Sequence, residues 1–318
     1  MKRALITGIS GQDGGYIAKI LLEEGYEVVG LSRSYRHLEL SNLQYLGISD
    51  KVTVEECDLM DFSRVSNIIR QYEPNEIYNL AAQSSVGISF KQPIGTIRFN
   101  TISLLNILEA VKEINPKIRV YQASSSEIFG KAEHLPINEH TALNPLSPYA
   151  VSKASAHFIA KNYRQSYGLF VSAGILFNHE SYLRSKNFFV KKVLTECIKI
   201  SRGEQKKLIV GNIDIQRDFG YAPKYAEAIT KILKHDVADD FIICSGQSVS
   251  LRKIIEYLFA KFNISMDKLE ISKDLFRPDD IVNNYGDNSK AKELLGWNYD
   301  LNFFQVLDLL VEEELKNL

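Results

Sequence analysis

An α/β fold, a doubly wound parallel sheet completed by a smaller α/β domain, is predicted by three observations. A short apolar strand near the N-terminus breaks at Gly8-x-x-Gly11-x-x-Gly14 and runs directly into a helical pattern. Apolar strands then alternate with amphipathic helices, as in a parallel sheet covered on both faces. The chain also has the material for a large core: 318 residues, 45% hydrophobic and 24% charged, fit one large domain or two intimately joined ones.

The elements follow in order. Ala4 to Ile6 end the first buried strand, and Tyr16 to Leu22 put apolar residues on one helical face just after the glycines. Glycines permit φ > 0 and close backbone approach, while the free amides at the next helix stabilise negative charge. Gly8, Ser10, Gly11, Gln12, Asp13 and Gly14 therefore read as the pyrophosphate turn of a Rossmann-type dinucleotide site. The other reading of three close glycines is an ordinary tight turn.

The second strand, Glu27 to Leu31, ends at Ser32-Arg33, where an acidic residue would bind the NAD ribose and an arginine the 2′-phosphate of NADP. Arg33, with Arg36, argues for NADP, against the alternative of a solvated basic loop. The third strand, Val52 to Glu56, delivers Asp58 and Leu59 to the ligand edge, to flank adenine; Asp58 could instead serve the turn or cap the helix starting near Asp61. The fourth strand, Glu76 to Leu80, enters Ala81-Ala82-Gln83-Ser84, small residues that let the backbone come close to a cofactor. A helix over Gly95 to Ile114, with Ile102, Leu105, Leu108 and Val111 as its core stripe, precedes the strand Arg119 to Gln122.

That strand delivers Ser124-Ser125-Ser126-Glu127 to the same edge, hydroxyls that could also simply turn the chain. Tyr149 and Lys153 then lie four apart on a helix, one side of which carries both. The ammonium is expected to favour the phenolate and to lower the tyrosine pKa toward the working pH. In the second half, strands at Val171 to Leu176, Lys207 to Val210 and Phe241 to Cys244 alternate with helices near Phe188 to Ile200, Ala222 to Lys234, Leu251 to Phe262 and Phe303 to Leu315. The expected division is residues 1–176, NADP-binding, and 177–318, mainly substrate-binding, with the chain crossing back in places.

Composition narrows the function. A net charge of -1 gives no electrostatic reason to bind nucleic acid. Cys57, Cys197 and Cys244 have no metal-ligand spacing, and no metal is expected. With no apolar run long enough to span a bilayer and a strand where a signal peptide would have its core, a cytoplasmic location is expected and no membrane.

The Thr-Gly-x-x-Gly-x-x-Gly turn and the Ser, Tyr and Lys set resemble the extended short-chain dehydrogenase/reductase superfamily. A narrower resemblance runs nearly end to end. It is carried by Gly11-Gln12-Asp13-Gly14, Leu80-Ala81-Ala82-Gln83-Ser84, Ser125-Ser126-Glu127, Tyr149-x-x-x-Lys153, Gly174 to Ser181, Gly211 to Gly220 and Phe276-Arg277-Pro278. These motifs resemble the GDP-mannose 4,6-dehydratase family. The resemblance implies Ser125, Glu127, Tyr149 and Lys153 as catalytic residues, with Leu80 to Ser84, His179 and Arg184 at NADP. It implies Ser84, Ser126, Asn178, Lys192, Arg217 and Arg277 at a GDP-sugar, and a homotetramer or homodimer in which the loop Ser32 to Leu40 reaches toward a neighbour's cofactor.

Two departures stand out. Ser125 replaces the usual threonine and keeps the hydroxyl. Tyr182 to Phe189 loses the usual Pro-Arg-Arg-Gly-Glu-Thr-Phe pattern, so GDP-N-acetylglucosamine or GDP-heptose, substrates of related enzymes, stand beside GDP-mannose. The expected reaction is C4 oxidation, loss of water across C5 and C6, and hydride return to C6. A nucleotide-sugar epimerase or a 4-ketosugar reductase would share Ser, Tyr and Lys without needing Glu127; a non-catalytic NADP sensor would need neither.

Overall fold

The computed structural model describes residues 1–34, 40–276 and 279–318. The strands are β1 (Arg3–Thr7), β2 (Glu27–Ser32), β3 (Val52–Glu56), β4 (Glu76–Asn79), β5 (Arg119–Ser125), β6 (Val171–Leu176), β7 (Asn178–Glu180), β8 (Leu208–Val210), β9 (Gln216–Tyr221), β10 (Asp240–Ile243), β11 (Ser248–Ser250) and β12 (Leu269–Ile271). The helices are α1 (Gln12–Glu23), α2 (Ser41–Tyr45), α3 (Phe62–Tyr72), α4 (Val86–Lys91), α5 (Pro93–Ile114), α6 (Pro148–Tyr167), α7 (Phe189–Ser201), α8 (Ala222–Lys234), α9 (Leu251–Lys261), α10 (Ser289–Leu295) and α11 (Phe303–Lys316).

Among the described residues, seven strands form the main sheet in the order β10-β6-β5-β4-β1-β2-β3, every neighbour parallel. Side chains alternate between its two faces. Ala4, Ile6, Val28, Tyr78 and Tyr121 pack with Ile17 and Leu21 of α1 and Ile229 and Ile232 of α8. Leu5, Val29, Ile77 and Val120 pack with Ile68 of α3, Leu104 and Ile107 of α5 and Ala156 of α6. Both faces are dry, which is why these strands read as continuous apolar runs. Strand order reverses at β1, between β2 and β4, so the crevice beyond its carboxyl end is where such a sheet takes ligands.

Two details add to the linear reading. The strand near residue 241, grouped with the second half, joins the main sheet: β10 pairs with β6, Asp240 opposite Ala173 and Ile243 opposite Leu176. Helix α8 leads to it across α1, and Phe241, Ile242 and Ile243 are fully buried. On α5 the buried face includes Leu104, Ile107, Leu108 and Val111, while Ile102 and Leu105 are half-buried. That helix lies between α3 and α6, and two neighbours require a wider apolar arc than one stripe.

Apart from α8, β10 and α10, which pack with the main sheet, the elements of the second half surround a separate core, in which Val193 and Leu194 of α7 meet Ile254 and Leu258 of α9 and Val306 and Leu310 of α11. Small sheets β11-β9-β7 and β12-β8 flank it. Among the described residues no helix is long and apolar enough to cross a membrane.

Candidate active site

The site begins where β1 ends. Gly8 has φ +72, and a Cβ there would lie 3.0 Å from the Ala81 nitrogen; at Gly14 it would lie 2.4 Å from the Gly8 carbonyl oxygen. Gly11 is the N-cap of α1 and offers no side chain to it, so the first amides of the helix remain for an anion. Above this turn opens a cleft of about 1490 Å³. Gly8, Ser10, Gly11, Gln12, Asp13 and Gly14 line it from the turn, Arg33, Asp58 and Leu59 from the ends of β2 and β3, and Leu80, Ala81, Ala82, Gln83 and Ser84 from the end of β4. Arg184 joins them from the second half. A cradle that a single methyl group would fill, beside free helix amides, fits a dinucleotide pyrophosphate. Asp58 also has its turn role, accepting from the Met60 amide at 3.0 Å, while Asp61 caps α3.

Strand β5 runs on to Ser125, beyond its expected end, and a single 3-10 turn, Ser126–Phe129, carries Glu127. Ser147 caps α6 through the Ala150 amide and Pro148 starts it, which fixes Tyr149 in the first turn. Ser125, Tyr149 and Lys153 are all buried, and Ser125 is hydrogen-bonded to the Tyr149 phenol. Glu127, Arg184 and Asp13 all act electrostatically on that phenol, which sets it beside the cleft although Ser125, Glu127, Tyr149 and Lys153 do not line it.

The expected lowering of the tyrosine pKa is reversed. Burial pushes Tyr149 up to about 12, against the Ser125 hydrogen bond that lowers it. The Lys153 ammonium donates to the Ala123 carbonyl at 2.8 Å and stands 5.9 Å from the centre of the Tyr149 ring. Desolvation outweighs so indirect a contact, and it pushes Lys153 itself down to about 8, with Asp13 opposing.

His179, expected at the cofactor, is 6% exposed and does not line the cleft. Its Nδ1 donates to the Phe177 carbonyl at 2.7 Å and its Nε2 meets the Asp13 carboxylate at 3.0 Å, so both nitrogens serve the protein. Burial raises the Asp13 pKa, but the charge and hydrogen bond of His179, the Gln12 hydrogen bond and the Arg184 charge together outweigh it and hold Asp13 at about 2. His179 thus anchors an ionised Asp13 in the turn.

The residues expected at the sugar nucleotide are spread more widely. Ser84 lines the cleft, and Ser126 is buried in the turn before Glu127. Asn178 donates to the Asp218 carbonyl at 3.2 Å, and Arg217, 6% exposed, to the Ile281 carbonyl at 2.6 Å. Lys192 donates to the Ile209 carbonyl at 2.7 Å and lines a separate hollow of about 470 Å³ with Lys206 and Lys207. Arg277 and Arg36 lie outside the described residues.

Sequence reasoning missed one wall of the cleft. Tyr45 and Tyr182 stack with ring centres 4.5 Å apart, Lys191 donates to the Tyr182 carbonyl and pairs with Glu314, and Asn317 and Leu318 complete the wall. Tyr45 and Glu313, which share a hydrogen bond, are 268 positions apart, and no linear signal links them. Asn100 was missed as well. It holds both backbone groups of Gln83 and donates to Ser152, whose hydroxyl bonds the Tyr149 carbonyl.

Residues 5–310 match a family model described as GDP-mannose 4,6 dehydratase. A relative named GDP-mannose 4,6 dehydratase 1, from Arabidopsis thaliana, is 39% identical over 99% of this chain and 90% of its own length. The chain belongs to the GDP-mannose 4,6-dehydratase family. A second member, a GDP-mannose 4,6-dehydratase from Sinorhizobium fredii, is 35% identical, with 100% of this chain and 97% of that one aligned. Among solved structures, the dTDP-glucose 4,6-dehydratase DesIV from Streptomyces venezuelae, with NAD bound, superposes with a TM-score of 0.89 at 21% identity, covering 99% of this chain and 97% of its own. At that identity the likeness speaks for the fold. Membership of the GDP-mannose 4,6-dehydratase family agrees with the resemblance read from the motifs.

Proposed function

We propose that this chain is an NADP-dependent GDP-sugar 4,6-dehydratase, which converts a GDP-hexose of the GDP-mannose or GDP-N-acetylglucosamine type to its 4-keto-6-deoxy derivative. The observation that carries this reading is Glu127, a carboxylate delivered by the turn after Ser125 and close enough to act on Tyr149. Oxidation at C4 needs Ser125, Tyr149 and Lys153; removal of the C5 proton needs a further base, which an epimerase or a reductase would not require.

Tyr149, acting as the phenolate, receives the proton of the sugar 4-hydroxyl, and Ser125 hydrogen-bonds the same oxygen. Once C4 is a ketone the C5 proton is acidic; Glu127 removes it and passes it to the C6 hydroxyl, which leaves as water, and a proton equal to the one Tyr149 took is restored at C5 when hydride is returned to C6. A nicotinamide dinucleotide would be held along the turn from Gly8 to Gly14, with Arg33 at its 2′-phosphate, Asp58 and Leu59 at its adenine and Lys153 at its ribose, and would supply hydride acceptance at C4 and return at C6. Burial keeps Tyr149 protonated, and a positive charge placed beside the phenol would favour its phenolate. Asn178, Lys192, Arg217 and Arg277 are assigned to the GDP end of the substrate.

The test is incubation with GDP-mannose and with GDP-N-acetylglucosamine, without added NADPH. Loss of water supports the dehydratase, isomerisation supports an epimerase, and no reaction with either removes the reading. Calorimetry should show GDP bound more tightly than UDP, and a preference for UDP would overturn the substrate class. Arg33→Ala should weaken NADP binding about tenfold or more while NAD binding changes little. Equal losses for both would remove Arg33 from cofactor choice.

Assembly into two or four copies is supported by exposed apolar side chains on α5 and α6, Ile94 at 81% and Phe158 at 57% among them. Sedimentation as a monomer would rule it out. A cytoplasmic location is supported by three free, buried cysteines and would be overturned by export of the tagged protein.

A further inference from the structure

A chain of buried side chains crosses the main sheet beneath the cleft. The Thr7 hydroxyl accepts from the amides of Leu80 and Ala81, both at 3.0 Å, and donates to Asn79 Oδ1 at 2.9 Å. With both acceptor positions of that hydroxyl taken, its proton has one destination, and the Asn79 amide is oriented by it. Asn79 Nδ2 must then donate, which it does to Gln122 Oε1 at 2.7 Å. Gln122 is left with only its NH2 to offer beyond that, and Nε2 donates to the Ala123 carbonyl at 2.9 Å. The same carbonyl accepts the Lys153 ammonium at 2.8 Å.

A carbonyl oxygen has two lone pairs, and here each has a fixed donor. Thr7, Asn79, Gln122 and Lys153 are all at most 5% exposed, so no water competes for these positions. We propose that Gln122 is a positioning residue for Lys153. By occupying one lone pair of the Ala123 carbonyl it leaves the ammonium a single direction of approach, and through Asn79 and Thr7 it ties that direction to the strand end beside the glycine turn. The two other N–H groups of Lys153 are thereby aimed. The inference rests on the reading that Lys153 serves the reaction at Tyr149 and holds the cofactor ribose.

A double-mutant cycle tests it. Gln122→Met keeps the length of the side chain and removes the amide; kcat should fall about tenfold with KM for the GDP-sugar within about twofold, because a small misplacement of a catalytic group costs on that order. In a Lys153→Met background, Gln122→Met should cost nothing further, since Gln122 then has nothing to aim. A merely structural role would give independent, multiplying losses. Gln122→Glu is the second variant: as a carboxylate it still accepts from Asn79 but cannot donate to Ala123, so it should lose kcat as Gln122→Met does. The same cycle is read in affinity for the nicotinamide dinucleotide by calorimetry, where Gln122→Met should weaken binding only when Lys153 is present. If the wild type turns over no GDP-sugar, the function proposed above fails, and the affinity cycle still decides Gln122. Losses that multiply in either cycle, or a wild-type kcat in Gln122→Met, overturn the proposal.

Discussion

Glu127→Gln is expected to oxidise its substrate and stop there, with the overall rate down by roughly 100-fold or more. The substitution keeps the shape of the side chain on its 3-10 turn and removes the carboxylate proposed above as the base for the C5 proton. It also removes a negative charge that raises the Tyr149 pKa, so the first proton transfer should not suffer. Absorbance of bound reduced nicotinamide should therefore build up in single turnover, while exchange of the C5 proton in deuterated water is lost. Tyr149→Phe is the control and should show neither signal. A Glu127→Gln variant that forms the 6-deoxy product at the wild-type rate would make Glu127 a structural residue.

Gly14→Ala should cost on the order of 3 kcal/mol of stability and about 100-fold in cofactor affinity, the upper part of the range for overpacking. The added methyl would sit 2.4 Å from the Gly8 oxygen and 2.9 Å from the Ile9 Cα, backbone atoms that cannot swing aside. Either α1 or the turn has to move, and both carry the amides of the cradle. Gly25→Ala provides the contrast. Nothing lies within 4 Å of its added carbon, but φ is +81, so a loss of about 1 kcal/mol with unchanged affinity is expected. Thermal unfolding and calorimetry measure both quantities, and wild-type affinity in Gly14→Ala would show that the turn does not hold the cofactor.

What was legible in the chain is what local chemistry decides. Strand β3 and helix α8 have the bounds read from the pattern, because apolar runs and their flanking polar residues determine both ends. The Gly8 to Gly14 turn and the Tyr149, Lys153 pair were legible because each is a short spacing with one steric or angular meaning. The direction of the Tyr149 shift was not, since it depends on how much water the whole fold removes from around the phenol. The bond from His179 to Asp13 was not legible, because the two residues are 166 positions apart. The wall formed by Tyr45, Tyr182, Lys191 and Glu314 depends on where the C-terminal helix docks, which no spacing encodes.

The place of β10 bears on how this protein is made. As the chain leaves the ribosome, β1 to β6 appear within the first 176 residues, and β10 ends only at Ile243. Until then β6, Val171–Leu176, which is buried along its whole length in the finished fold, has one side unpaired. An apolar edge left open in this way is the part of a nascent sheet most prone to join another chain. Once β10 arrives, its own outer edge is guarded, for Glu139 accepts from the Ile242 amide at 2.9 Å and α10 packs against the strand. The stretch of synthesis between residues 176 and 243 is therefore when a folding helper would matter most to this chain, and a gene cut after residue 176 should yield aggregate.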